Sequence, residues 1–347
     1  MTKKNISLFV ILALLTRGYC FRGAWLTELA VSFLPYWLVG LVAFSAFLTL
    51  RTLFEAGRQN AYSLILFFFA LRSGALTFNV YGEFTNFYDV EIHRGTIREQ
   101  AEEFLVKNLN EQPGLKVYYA NIYYENDNYE IIKRSIEKTD PDVVALVEFS
   151  DDHEAKLKDY FQRKYPYTSA TSRSKIHAGN IIFSKYPIVN ELEKDDQNET
   201  PRRYNYVKIE SEIPLYIYLV HTSAPVSSFL FLNRNIQLEA FTTDFKRQKI
   251  DRPLLSNVLV LGDFNLSPWS DYYFLFTQEL GKDMKNIFKG KKSVFTRSFK
   301  GQKILNSHID HGFINNGLEI EDLTVSDLIG SDHNQITFKI VEPKMHD

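Results

Sequence analysis

VLVLGDFNLSP, residues 258–268, sets four aliphatic side chains directly before a glycine, an acid and an amide. Val258 to Leu261 predict a strand buried on both faces, because a short apolar run bounded by turn residues leaves no solvent side. The chain then breaks at Gly262 and presents Asp263 and Asn265. A carboxylate and a carboxamide at that place either close a turn or line a site at the end of the strand.

The same arrangement recurs along the chain. Asn121 ends LKVYYAN (115–121), Glu148 ends VVALVE, and His221 ends LYIYLVH. Asp310 stands in SHIDHGF, and Asp332-His333 in GSDHNQITF. Each alone is more readily a turn former, a cap or a satisfied core residue. Polar groups at the ends of neighbouring hydrophobic strands, however, converge on one cleft.

Those side chains suit phosphate-ester hydrolysis. Hard divalent cations such as Mg²⁺ take oxygen ligands, typically one or two carboxylates with water. Glu148 and Asp332 can provide them. A carboxylate beside an attacking water can orient and deprotonate it, which fits Asp263. The amides of Asn121 and Asn265 can position phosphoryl oxygens without competing for the proton. A histidine held by a carboxylate stays protonated and can stabilise charge developing on phosphorus.

Around these strand ends the pattern alternates between strands and helices. Helices are predicted over 128–140, 153–165 and about 232–248, and strands over NIIFSKYPI, YNYVKIES, HIDHGFINN and HNQITFKIV. With no repeat or low-complexity tract, residues 115–342 read as one α/β or α+β domain. REQAEEFLVKNL (98–109) reads as an amphipathic helix within a linker spanning 81–114.

Residues 1–80 differ in kind. LAVSFLPYWLVGLVAFSAFLTL (29–50) carries no charge and is long enough to cross a hydrocarbon core of about 30 Å. AYSLILFFFALRSGALTFNV (61–80) is interrupted only by Arg72, and ISLFVILALLT (6–16) is a shorter candidate. The segment therefore reads as a membrane anchor of two or three transmembrane helices, preferred to a buried soluble hairpin for its lack of polar periodicity. Basic residues near the ends set orientation. Three spans put residues 81–347 outside the cytoplasm; two would put them inside. The three-span, extracytoplasmic reading is preferred, and the lipid bilayer is the expected partner.

Charge separates the two parts. Up to residue 80 there are seven basic residues against two acidic ones, which leaves 33 basic and 40 acidic residues beyond it. A net charge of about −7 disfavours a surface that grips long polyanions. The single cysteine, Cys20, excludes an intramolecular disulfide and a cysteine-based zinc site.

The order YAN, DVVALVE, GNIIFSKYPI, VHTSAP, GDFN, IDHGF and GSDH resembles the endonuclease/exonuclease/phosphatase superfamily over roughly 115–342. With the apolar N-terminal segment, it looks most like bacterial membrane-anchored members, which implies a multi-pass inner-membrane protein. The resemblance implies a DNase I-like fold, two packed β-sheets flanked by helices, with the site at one edge. It implies Mg²⁺ (or Mn²⁺) held by Glu148, with Asn121 beside metal and phosphate and Asp332 in the metal or nucleophile environment. Asp263 would align the water, and Asn265 and His221 would contact the phosphate. His333, oriented by Asp310, would face the scissile group.

The expected function is a membrane-anchored, divalent-metal-dependent phosphoesterase. The alternatives are an extracytoplasmic nuclease and a non-catalytic membrane scaffold. Outside the core pattern, His311 is expected on the opposite side of its strand from Asp310. His308 is a weaker candidate for the face of Asp310, Asn180 for the cleft, Trp269 for its border, and Arg202 and Arg203 for substrate phosphate.

Overall fold

The GDFN strand lies inside a sheet, as its apolar run requires. The computed structural model describes residues 25–32, 113–169, 172–173, 178–190, 204–251, 257–288, 294–299 and 302–343. The first described element is a short helix, α1 (Trp25–Val31). Then come β1 (Leu115–Asn121), α2 (Tyr129–Thr139), β2 (Val143–Ser150), α3 (Asp151–Lys164), β3 (Tyr167–Thr168), β4 (Ser172–Arg173) and β5 (Ala178–Ser184). The second half holds β6 (Ile188–Asn190), β7 (Tyr204–Ile209), β8 (Leu215–His221), α4 (Ser228–Asp251), β9 (Val258–Asp263) and α5 (Asp271–Leu280). The chain closes with β10 (Met284–Asn286), β11 (Arg297–Phe299), β12 (Gln302–Ser307), β13 (Asp310–Asn315), β14 (Glu319–Asp327) and β15 (Asn334–Val341).

Among the described residues two mixed sheets result, with β11 and β12 pairing apart from them. One runs β14-β15-β1-β2-β5-β3, with β4 also paired to β5; the other runs β10-β13-β9-β8-β7-β6. Alternation along each strand decides what meets what. Val117 and Tyr119 of β1 and Leu259 and Leu261 of β9 point into one shared core between the sheets. Their neighbours Tyr118 and Val260 point outward, beneath helices. On one side Ile132 and Ile136 of α2 and Phe161 of α3 cover the first sheet. On the other, Phe241 and Phe245 of α4 and Phe276 of α5 cover the second. Each fully buried aliphatic side chain contributes about 1.5–3 kcal/mol, so both faces of the central strands must be covered. The result is the expected DNase I-like arrangement of helices flanking two packed sheets.

The topology also explains why polar groups gather at one edge. β1 and β2 are parallel, as are β8 and β9, so four strands finish at the same end of the sandwich. His221 stands opposite Asp263 at the end of the β8–β9 register. β13 runs antiparallel to β9 and starts there, with Asp310 opposite Asp263. β15 runs antiparallel to β1 and begins just after Asp332 and His333.

Several expectations are revised. NIIFSKYPI is two strands in different sheets, because the chain turns at Lys185–Pro187 between β5 and β6. β14 was not predicted: it is an acidic edge strand whose side chains are mostly exposed. The helix expected over 232–248 begins earlier and ends later, at Ser228 and Asp251. The predicted spans 6–16, 29–50 and 61–80 and the helix 98–109 lie almost wholly outside the described residues. Among those residues no helix is long and apolar enough to cross a membrane.

Candidate active site

Gly262 sets the approach of the two central strands. A Cβ there would lie 1.9 Å from the carbonyl oxygen of Val220 on β8, so no other residue fits. Immediately beyond it, Asp263 is 1% exposed. Its Oδ1 accepts from the backbone N–H of Asn265 at 2.9 Å, closing a local turn. Asn265 adopts φ 47°, a left-handed conformation that asparagine tolerates better than most residues. Its Nδ2 donates to Thr222 O at 3.1 Å, tying the β9 loop to the end of β8. The turn and the site are therefore the same structure.

Glu148 reaches the cleft through a distortion. β2 carries a bulge between Leu146 and Phe149, and Glu148 takes φ 61°, a costly conformation for a glutamate. Its carboxylate accepts from Asn121 Nδ2 at 2.9 Å and from the backbone N–H of Tyr124 at 3.1 Å. Asn121 Nδ2 also donates to Asp263 Oδ2 at 3.1 Å. Asn121 thus separates two carboxylates, a place where only a donor or a cation is tolerated. Its Oδ1 accepts from Tyr123 N at 3.1 Å, which fixes the amide.

The opposite wall is drier. His333 Nδ1 donates to Asp310 Oδ2 at 2.8 Å, while His333 Nε2 lies 3.6 Å from Asp263 Oδ2. Asp310 also accepts from the Tyr119 hydroxyl at 2.6 Å, and its backbone N–H donates to Thr296 Oγ1 at 3.0 Å. Burial alone would depress the imidazole, but Asp310 and Asp263 outweigh it and raise its pKa to about 9. Burial would likewise raise Asp310, yet the charge and hydrogen bond of His333 hold it below the usual carboxylate range. Asp263 meets the same imidazole only at 3.6 Å, too weakly to offset its burial. Burial and the nearby Asp310 push it up to about 7.

Two groups of three potential ligands share Asp263: one with Glu148 and His221, the other with Asp310 and His333. In each the candidate ligand atoms lie within 4.8 Å of one another. The Glu148 group fits a hard divalent cation on the chemistry of its donors. Two carboxylates face each other there with only the amide of Asn121 between them. His221 Nε2 stands 3.8 Å from Glu148 and 4.0 Å from Asp263. The second group already carries its own cation, the protonated His333.

Every residue expected at the site reaches this edge of the sandwich. Asp332 arrives differently from the others: its Oδ2 pairs with Arg297 Nε at 2.8 Å, and its Oδ1 lies 3.9 Å from His333 Nε2. It belongs to neither three-ligand group. The outlying candidates go elsewhere. His311 lies on the outer side of β13, donating to Leu266 O at 2.6 Å, and the ring of His308 stacks on it 4.6 Å away. His308 therefore packs with His311 and meets Asp310 through its backbone rather than its carboxylate. Asn180 crosses the interior to Leu219 O at 3.1 Å and is a structural bridge between the sheets. Trp269 is partly buried after the GDFN loop. Arg202 and Arg203 lie outside the described residues.

Three contributors were not foreseen. Tyr119 precedes Asn121 by two residues, and that spacing places it on the same face of β1. Thr296 and Arg297 enter from a loop and a short strand with no sequence signal of their own. Arg297 is bridged to His333 by backbone pairing, so it sits beside the imidazole as well as beside Asp332.

The arrangement is matched by sequence as well. The family model described as Endonuclease/Exonuclease/phosphatase family covers residues 76–333 of the chain. The protein belongs to this family. Membership makes it, in general terms, a metal-dependent phosphoester hydrolase. Similar solved structures include a humanized D. rerio TDP2 with 14 mutations, at TM-score 0.53 and 16% identity over 66% of this chain and 99% of that one. A truncated Caenorhabditis elegans TDP2 gives 0.52 and 15%, covering 65% and 97%. A D. rerio TDP2 complexed with single strand DNA product gives 0.51 and 18%, covering 66% and 100%. At these identities the likeness concerns the fold. A search of curated proteins found no match.

Proposed function

We propose that the protein is a membrane-anchored phosphoesterase that hydrolyses phosphodiester or phosphomonoester bonds with Mg²⁺ or Mn²⁺. The observation that carries this is the pairing of Asp263 and His333, 3.6 Å apart, with the carboxyl raised to about 7 and the imidazole to about 9 by their surroundings. A carboxylate whose pKa lies near neutrality can take a proton from water. An imidazole kept charged by Asp310 can donate to a phosphoryl oxygen as negative charge develops. The metal, held by Glu148 with Asn121 beside it and Asp332 nearby, would supply charge neutralisation at the phosphate. His221 and Asn265 border the same space and would position the ester oxygens, with the second N–H of the Asn265 amide available for one of them.

The bilayer enters through the uncharged segment 29–50 and its neighbours, and supports the reading of a bacterial inner-membrane protein with an extracytoplasmic catalytic domain. The test is hydrolysis of bis(p-nitrophenyl) phosphate and p-nitrophenyl phosphate by full-length protein with and without Mg²⁺. Wild type should turn over one of them, and Asp263→Asn and His333→Ala should not. Unchanged turnover in both variants would sink the proposal. A nuclease remains the second reading, because one fold relative holds a DNA product. The acidic balance opposes it, and Mg²⁺-dependent plasmid nicking would decide in its favour.

A further inference from the structure

Helix α4 is apolar on two sides. Leu238, Phe241 and Phe245 face the sheet. Phe229, Leu232 and Ile236, spaced three and four residues apart, form a second stripe exposed by 75%, 57% and 50%. A helix that is hydrophobic all round expects cover on both sides. From Ala224 to Leu238 the only charged residue is Arg234, and it turns inward. On the neighbouring α5, Phe274 is 62% exposed. Aromatic and aliphatic side chains of this size, grouped rather than scattered, mark a surface made to be covered.

Helix α1 lies against this face and indicates what covers it. Trp25 Nε1 donates to Pro225 O at 2.7 Å, just ahead of α4. Glu28 accepts from Ser270 Oγ at 2.5 Å at the start of α5 and stands 3.6 Å from Arg234. The outer side of α1 adds Leu26 and Leu29 to the exposed surface, at 66% and 41%. Leu29 is also the first residue of the uncharged run 29–50. The apolar face is therefore continuous with the point where the chain enters its longest apolar segment. Two candidate spans, 29–50 and 61–80, separate Glu28 from the catalytic domain. An even number of crossings returns the domain to the side of Glu28, as their contact requires.

We propose that the α1–α4–α5 face rests in the headgroup layer of the bilayer, so that the catalytic domain lies on the membrane rather than hanging from a tether. The proposal rests on the membrane-anchored reading, and one set of samples separates the two. Full-length protein carrying Cys20→Ser and one new cysteine, Phe229→Cys, Ile236→Cys or Asp159→Cys, is labelled with an environment-sensitive fluorophore. It is then reconstituted into phosphatidylcholine–phosphatidylglycerol vesicles. Flotation reports anchoring, and lipids spin-labelled at the headgroup report contact. Labels at 229 and 236 should be quenched several-fold more than the label at the exposed 159 position of α3. Co-flotation with equal quenching at all three positions overturns the docked face and leaves the anchor standing. Failure to co-float overturns both. Shielding from aqueous iodide that arises in detergent and grows with protein concentration assigns the face to a second copy and overturns the lipid assignment.

Discussion

The active site has two halves that share Asp263 and differ in water. In one, Asp310 and His333 are 0% and 5% exposed and braced by Tyr119 and Thr296. In the other, the Glu148 and His221 side chains retain 19% and 17% of their exposure, and Glu148 sits on a strained bulge. The dry half fixes protonation, since low dielectric and the placing of His333 between Asp310 and Asp263 set the charge of each group. The open half is left short of positive charge and accessible, as a cation and an ester require. Separating the two lets one carboxylate, Asp263, be tuned by its dry side while it works on the wet one.

The largest effect should distinguish the halves directly. Asp263→Asn should lower kcat by about 10³-fold or more, with no recovery at high Mg²⁺. Glu148→Gln should lose about 10²-fold at low Mg²⁺ and recover part of it as the metal is raised. Identical metal dependence in the two variants would erase the proposed division. The same Asp263→Asn change should stabilise the metal-free fold by about 1 kcal/mol or more at pH 8, read by thermal melting. Its folded pKa of about 7 stands above the ordinary 3.8, so stability is lost as pH rises through that interval. Removing the acid removes the loss.

His333 gives the same sign at higher pH. Raised from 6.5 to about 9, it contributes stability that is complete below pH 6.5 and lost as pH rises through 9. Activity should fall on the same alkaline limb as the imidazolium deprotonates. On the acid side it should fall below about pH 7 as Asp263 protonates, with that limb moving to lower pH once metal is bound. A flat rate across pH 8–10 would refute the charged-histidine role.

A smaller effect is expected behind the histidine. Burial and Asp310 push the Tyr119 phenol far up, so it stays a donor. Tyr119→Phe should cost about 1–3 kcal/mol of stability by leaving a buried carboxylate oxygen short of a donor. The activity loss should be about tenfold and should appear as a shift of the alkaline limb rather than of metal affinity.

How much of this was legible follows from what each residue depends on. Asn121, Glu148, His221 and Asp263 end apolar runs, and parallel pairing of those runs brings the ends together, so sequence order sufficed. Asp310 and His333 were found by the same logic at strand starts. Tyr119 was hidden because a tyrosine in an apolar strand reads as core, and only the arrival of β13 gives its hydroxyl a partner. Arg297 was hidden because its acid, Asp332, lies in a distant segment. The bulge at Glu148 was not legible, since VVALVEF shows no glycine or proline to announce it. α5 was masked by its own aromatic content, which is packing on one face and exposed surface on the other.

The last prediction asks whether the halves can be disturbed separately from outside. Arg234 NH1 donates to Asn265 O at 3.1 Å, and Glu28 stands 3.6 Å from the same guanidinium, so helix α1 braces the GDFN loop from behind. Both charges are buried, and among the described residues Arg234 otherwise bonds neutral oxygens, those of Asn235 and Asn265. Glu28→Ala strands the arginine and should lower stability by about 1–3 kcal/mol, while Glu28→Gln, which keeps an acceptor for Ser270, should cost less. Asn265 should lose its fixed position, and a few-fold rise in KM should follow from weaker phosphate contact. His333 and Asp310 draw nothing from this brace. The alkaline limit of the surviving activity should therefore stay where it is in wild type, while the acid limit should move up as Asp263 loses the Asn265 N–H that helps hold its pKa down. A shift of the alkaline limb in Glu28→Ala would show that the dry half is not insulated from the open one.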